Sequence, residues 1–374
     1  SNHGSRFRAM FAQYMPPAKP TMQLDEWPFV YNPRLGMAPR RSPVDAGRPL
    51  KLLHLTVQSK YEPQTDMRRA FARIGPTIAL PWSDRHGEVL TAAERLKPDV
   101  VFAQIQCDAW SDEQLASLRR AVGPDCLLAH WTGDVRTSAA SHVDRWMVRY
   151  ADYFNLMLSD NTTYASKLQL EDCIANGSGY LSCGADGSVN RYVEREERGG
   201  VVFIGSNYPG LPYDRVGVFE EVERMLPGLL TIWGAGWASR PSMPTLAGAL
   251  HPGDAAVVMQ EAAITISTSL FHDLGRYTSD RLKRALCAGA VVAVRAFDDM
   301  EGLGLKHGEN CLVWRDPGEL VALLRDWTRP QCASERKKIR ERAAALGAER
   351  HTWDSTVEEF LAIARDWRAR RGLL

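Results

Sequence analysis

The 374-residue sequence is poor in several features that would assign a class at once. It has no run of 18 or more apolar residues, which excludes an apolar membrane-spanning helix. It has seven cysteines, an odd number, and none in CxxC spacing, which argues against a zinc site of the short-spacing kind. Several of them, such as Cys126 and Cys287, sit inside apolar runs and read as buried, reduced thiols of a cytoplasmic protein. Neither charge sign dominates: 46 basic against 45 acidic residues leave a net +1, which argues against a broadly cationic nucleic-acid coat. Neither a G-x-x-x-x-G-K-[ST] loop nor a G-x-S-x-G elbow occurs, which argues against P-loop NTPases and α/β-hydrolases. The opening Ser1-Asn2-His3-Gly4-Ser5 lacks a basic-then-apolar signal pattern and reads as a tag remnant.

What is present is ordinary for a globular chain, 45% hydrophobic and 24% charged, and at about 150 residues per domain it makes two domains. Residues 1–49 are irregular, punctuated from Pro16 to Pro49 by prolines that exclude long helices and central strands. The segment is mildly basic and reads as an extended lead-in on the surface, with a partner-binding arm as the alternative.

Order begins at Leu50. Apolar runs at Leu50–Val57, Thr77–Leu80, Pro98–Ala103, Cys126–Trp131 and Tyr153–Leu158 read as strands, and helical spacing separates several of them at Asp66–Ile74, Val89–Leu96 and Asp112–Val122. Ser111 with Gln114 has the form of a capping box. After a charged, glycine-containing stretch at Glu194–Gly200 the alternation restarts with strands at Val201–Ile204, Leu229–Trp233, Ala263–Ser267, Ala290–Val294 and Cys311–Trp314. Strands alternating with helices of this length predict right-handed βαβ units. The fold class is therefore α/β, two Rossmann-like, doubly wound parallel-sheet domains facing a cleft. The boundaries are 50–190 for the first domain, 200–350 for the second, and 351–374 for a C-terminal helix that crosses back. Such sheets bind ligands outside the carboxyl ends of their strands.

The strongest local pattern runs from Ser279 to Val292: a polar turn, a helix, the stop Gly289 and an apolar strand. Here the sequence resembles the C-terminal domain of GT-B glycosyltransferases, in particular the group related to the spore-maturation glycosyltransferases. Ser279, Arg281, Ala285, Gly289 and Ala290 match that group's S-x-R-x-F-E-A-x-A-x-G-A segment. Val201–Ser206 followed by Arg215, the Ile232–Trp237 strand end with Gly234, and His351-Thr352-Trp353 also fit. The resemblance is good over 200–350 and loose over 50–185.

It implies a nucleoside-diphosphate sugar donor, such as a UDP-sugar, in the second domain, and a glycan, lipid or protein acceptor in the first. Gly205, Ser206, Arg215, Gly234, Arg276, Ser279, Arg281 and Arg284 are the candidate donor-binding residues. The diphosphate leaving group needs positive charge and N–H donors where negative charge builds up, and a helix N-terminus at Ser279 offers such donors. Arg284 departs from the family pattern: it aligns with an acidic residue that tends to hold the donor ribose, and a guanidinium is donor-only. Another group then holds the ribose, or the donor differs, or the site is degenerate.

In the first domain His130-Trp131-Thr132-Gly133-Asp134 ends a strand where the family shows an aromatic residue and an Asp. Asp134 is the candidate general base, with capping or pairing to Arg136 as the alternative, and His130 and Trp131 stand on the acceptor side. Asp298-Asp299 lacks D-x-D spacing, so the expectation is no metal, and no cofactor beyond the donor.

Two other functions remain open at this level. One is a viral-type sugar transferase acting on hydroxymethylated DNA bases, favoured by the basic residues 34–48 and by Trp27, Phe29 and Tyr31. The other is a non-catalytic nucleotide-sugar-binding or scaffold protein that keeps the GT-B fold.

Overall fold

The structure is a computed structural model that describes residues 49–56, 64–83, 85–105, 108–133, 145–165, 178–207, 215–238, 242–248, 250 and 252–373. The proline-rich lead-in and Asp134 lie outside the described residues.

The first sheet contains β1 (Leu52–Thr56), β2 (Thr77–Pro81), β3 (Val100–Ala103), β4 (Leu127–Thr132), β5 (Leu156–Ser159) and β6 (Ser178–Tyr180). All pairings are parallel, in the order β2-β1-β3-β4-β5-β6. Its helices are α1 (Gln64–Ile74), α2 (His86–Leu96), α3 (Asp112–Val122) and α4 (Arg145–Ala151). Helix α3 starts as its sequence predicts: Gln114 N donates to Ser111 Oγ, and Gln114 Oε1 accepts from Ser111 N at 2.9 Å.

The second sheet contains β7 (Val201–Ile204), β8 (Leu230–Trp233), β9 (Thr245–Gly248), β10 (Ile264–Ser267), β11 (Val292–Arg295) and β12 (Leu312–Trp314). It is again all parallel, in the order β12-β11-β10-β7-β8-β9. This is the doubly wound order whose connections diverge between the first and fourth strands, here β7 and β10. Helices α5 (Arg215–Met225), α6 (Pro252–Glu261), α7 (Asp280–Cys287), α8 (Pro317–Trp327) and α9 (Ala333–Arg350) cover it. The chain ends in α10 (Trp353–Arg370).

Alternation along each strand sends successive side chains to opposite faces, so each sheet has two cores. In the first sheet Leu53, Leu55, Val101 and Leu128 pack under α2, α3 and α4, while Leu52, Val100, Phe102 and Leu127 face α1. Helix α10 completes that second core with Val357, Phe360, Leu361 and Ala364, so the C-terminal helix belongs to the first domain although it follows the second in sequence. Each of its larger buried side chains contributes roughly 1.5–3 kcal/mol.

The chain crosses between domains twice, and the crossings touch. Ala185 N donates to His351 O and Trp353 N donates to Ala185 O, both at 2.9 Å. The loop after β10 also reaches over without changing domain: Leu274 and Tyr277 are buried in the first domain's core. Cys126, Cys183, Cys287 and Cys311 are buried free thiols, each pushed up to about 12 by desolvation.

Helix α9 runs against α7 with their backbones in close approach at Gly347. A Cβ on Gly347 would lie 2.5 Å from the backbone N of Cys287. Alanine is better than glycine in a helix by about 1 kcal/mol, yet Gly347→Ala is expected to destabilise the protein by about 1–3 kcal/mol, because two backbones must separate. Urea unfolding followed by circular dichroism measures this; a more stable variant would contradict the packing.

Candidate functional site

The divergence of connections at β7 and β10 leaves a crevice at the carboxyl ends of these strands. The segment after β7 is Gly205-Ser206, and the segment after β10 is Thr268-Ser269. Arg281, on the first turn of α7, spans the crevice. Its Nε donates to the carbonyl of Ile204 and its NH1 to the carbonyl of Thr268 at 3.0 Å. The guanidinium lies 4.2 Å from the centroid of the Phe203 ring, a cation–π distance. A Cβ at residue 205 would collide with this guanidinium, so Gly205 is required for Arg281 to lie flat there.

The neighbouring residues follow from the same constraint. Gly205 N bonds Trp233 O at 2.8 Å, and Gly205 O accepts from the Trp237 indole at 2.8 Å. Gly234 has φ +142°, and a side chain there would run into the Gly205 carbonyl. Arg215, at the start of α5, donates from NH1 to Ser206 O at 3.1 Å. The structure thus gathers Gly205, Ser206, Arg215, Gly234 and Arg281 around one crevice.

Ser279 is the N-cap of α7, and its N donates to Ser269 Oγ at 3.0 Å. Its hydroxyl does not cap the first turn, and its Oγ has no hydrogen-bond partner among the described residues. The turn therefore presents a hydroxyl beside uncapped N–H groups, a combination suited to an anion.

Two residues that sequence reasoning missed belong to this region. His272 follows β10, and Arg295 ends β11. Burial, then the charges of Arg295 and Arg215, hold the His272 imidazole down at about 4, so it is neutral at pH 7. The available signal was position: Arg295 is the last residue of an apolar strand and His272 lies in the segment after another, the end where parallel sheets place ligands.

The remaining candidates lie elsewhere. Arg276 has φ +61° and donates to Asp299 Oδ2 at 2.6 Å. Its guanidinium stands 5.3 Å from the Tyr180 ring, so it braces the loop against the first domain. Asp299 also caps the short helix at Met300–Leu303, which accounts for the Asp298-Asp299 pair structurally. Arg284 turns away to Asp280 and to Asp66 of α1. Among the described residues no group of three or more His, Cys, Asp or Glu side chains is arranged to hold a metal ion.

His130 and Trp131 are core residues and not an acceptor surface. His130 is fully buried, bonds Ile105 O through Nε2 at 2.8 Å, and packs edge-on to Trp146, Tyr150 and Phe154. Trp131 donates its indole N–H to Leu181 O at 2.8 Å and meets Trp353. The reason is that β4 lies inside the sheet with both faces covered, so even its last residues point into cores.

Comparison with known proteins bears on the fold that positions these residues. Residues 215–362 match the family model described as glycosyl transferase-like. The match covers about two fifths of the chain, and the two-sheet arrangement is the GT-B fold of the solved structures below. Among solved structures, HepE of Anabaena in complex with UDP-glucose has a TM-score of 0.60 at 13% identity, over 84% of this chain and 99% of that one. A glycosyltransferase from Rickettsia africae has a TM-score of 0.62 at 8% identity, over 86% and 99%. A mutant of S. aureus TarM, in complex with Fondaparinux, alpha-GlcNAc-glycerol and UDP, has a TM-score of 0.53 at 10% identity, over 75% and 58%. No curated protein matches the sequence. No helix among the described residues is long and apolar enough to cross a membrane.

The buried histidines have a measurable consequence. Desolvation holds His130 at about 4 and His54 at about 3. Between pH 6.5 and these values the unfolded chain binds protons that the folded chain does not. Stability therefore rises with pH across this window and is lost as pH falls through it, by about 3 kcal/mol for His130 alone. His130→Gln, which keeps an N–H for Ile105 O, is expected to flatten the acid limb of a Tm–pH profile. An unchanged limb would contradict the burial.

Proposed function

We propose that this chain transfers a sugar from a nucleoside-diphosphate sugar to an acceptor hydroxyl, with the donor diphosphate seated in the β7/β10 crevice of the second domain. The observation that carries this reading is the crevice itself. Arg215, Arg281, Arg295 and the α7 N-terminus with Ser279 concentrate positive potential at the switch point of a doubly wound sheet. Negative charge develops on the leaving diphosphate as the sugar departs, and fixed cations and N–H donors stabilise it without reorganising. In this reading arginines supply the charge, and no metal ion is needed. A UDP-sugar is the donor class, supported by the UDP and UDP-glucose complexes of the structurally similar proteins.

The acceptor would enter from the first domain. Contacts across the cleft hold the two sheets together, with Thr162 N bonded to Gly275 O at 2.8 Å and Gly275 N to Thr163 Oγ1 at 2.9 Å. Closure of this kind excludes water and favours transfer over hydrolysis. Asp134, just beyond the end of β4, is the proposed general base that takes the proton of the acceptor hydroxyl. A base on the acceptor side fits inversion at the anomeric carbon.

A thermal-shift screen of the intact chain against nucleoside diphosphates and their sugar conjugates tests the donor site. UDP at 100 times its Kd is expected to stabilise the protein by about 2.7 kcal/mol. Arg215→Ala and Arg281→Ala are each expected to weaken UDP by about 10- to 100-fold, the equivalent of one charge-assisted hydrogen bond. A folded wild type that responds to no nucleoside diphosphate and hydrolyses no sugar nucleotide would reject the transferase reading in favour of a scaffold.

Asp134→Asn addresses the base separately. Donor binding is expected to survive while the slow hydrolysis of donor, and transfer once an acceptor is found, falls by about 10²–10⁴. Full activity would remove Asp134 from the mechanism.

A further inference from the structure

Helix α7 carries arginines at 281 and 284, one turn apart, that serve different domains. Arg281 reaches into the crevice of the second domain. Arg284, one turn on, reaches instead to the first domain, with NH2 3.8 Å from Oδ2 of Asp66 and Nε 3.1 Å from Oδ2 of Asp280. The Asp66 side chain is 0% exposed and that of Arg284 is 12% exposed, so the pair meets in a largely water-excluded setting. Asp66 belongs to α1 of the first domain, which makes this an ion pair between domains.

Asp66 is the first of three charged residues on one face of α1. Arg69 and Arg73 follow at i+3 and i+7, the spacing that aligns side chains along a helix. Arg69 pairs with Asp186, in the segment by which the chain leaves the first domain, at 3.4 Å. Arg73 donates to Asp354, at the start of the returning α10, at 2.8 Å. A single helix face thus holds the second domain, the outgoing crossing and the returning one.

We infer that the Asp66–Arg284 pair is the strap that sets closure of the two domains, and that Arg284 is a positioning residue for the donor crevice and not a donor contact. Opening the cleft at this point separates a buried carboxylate from its cation, which costs far more in a low-dielectric setting than at the surface. Because α7 has only eight residues, a shift at Arg284 is carried directly to Arg281 one turn earlier. Occupancy on the first-domain side and order in the donor crevice are then linked as a coupling between two sites. The link to the donor rests on the reading of the crevice as a diphosphate site; the strap itself does not.

The test uses the full chain with Asp66→Asn, Arg284→Met, Arg284→Lys and the double variant Asp66→Asn/Arg284→Met. Small-angle scattering without ligand reports domain separation, calorimetry with UDP reports the crevice, and circular dichroism reports folding. The expected result is a larger radius of gyration and about 10-fold weaker UDP binding in Asp66→Asn and in Arg284→Met, with the double variant no worse than either single, as for members of one interaction. Arg284→Lys, which keeps the charge, is expected to recover most of both. Weaker UDP binding in Arg284→Met with Asp66→Asn unaffected would overturn the proposal and make Arg284 a direct donor contact. An unchanged radius of gyration in both singles would also overturn it. If wild type binds no nucleoside diphosphate while the scattering still separates the variants, the donor reading fails and the strap stands. Should Asp66→Asn not fold, Arg284→Met and Arg284→Lys decide by scattering, since Arg284 is the partly exposed member.

Discussion

The contact on which the site depends is the reach of Arg281 from α7 to the carbonyls of Ile204 and Thr268. Neighbouring parallel strands whose connections leave in opposite directions cannot share a covering loop. Their carboxyl ends would otherwise leave backbone acceptors facing a gap, which is costly if they stay unpaired. One planar guanidinium satisfies both sides and lies against Phe203. Its shape dictates glycine at 205, and the approach of the neighbouring turn to the Gly205 carbonyl dictates glycine at 234. The local sequence around the crevice is thus largely a consequence of a single cation that must lie flat.

The same helix ties this crevice to the rest of the molecule. Leu282, Ala285 and Leu286 anchor α7 in the second domain, and Ala343 of α9 packs in the same core. Between α7 and the first domain lies a buried polar node. Lys283 Nζ stands 3.3 Å from His351 Nδ1, while His351 Nε2 donates to Leu303 O at 3.0 Å. Burial pulls Lys283 down, and the carboxylate of Asp160 opposes it. A polar node at the place where the chain crosses is specific in a way that apolar contact is not, since each partner is satisfied in one relative placement.

Much of the architecture was legible from residues. The apolar runs at Val201–Ile204 and Leu127–Trp131 became strands covered on both faces, and Ser111 with Gln114 capped α3 as its pattern predicts. Helix α7 ends as the Gly289 stop predicts, with Gly289 N bonded to Leu286 O and Ala290 N to Ala285 O. The elements not read in advance are weak locally. Strand β6 is Ser178-Gly179-Tyr180, and β9 is an exposed edge of Thr245–Gly248, neither an apolar run. Helix α4, Arg145–Ala151, spans only two turns, too short for periodicity to stand out.

The sequence by itself determined the alternation of strand and helix, hence two doubly wound sheets, and it placed Gly205 just past a strand and Arg215 and Arg281 at the starts of helices, the end of such sheets where ligands bind. Those features depend on neighbours a few residues apart, where spacing and side-chain type act directly. Only the tertiary structure decided which polar residues face the crevice and which are spent elsewhere. His130 and Trp131 end a strand yet point into cores, because β4 is covered on both sides. Arg276 is taken by Asp299, 23 positions away, and Arg284 by Asp66, more than 200 positions away. His272 and Arg295 gain their meaning from each other and from Arg215. The electrostatic partner of a side chain is set by distance in space, and no local pattern encodes it.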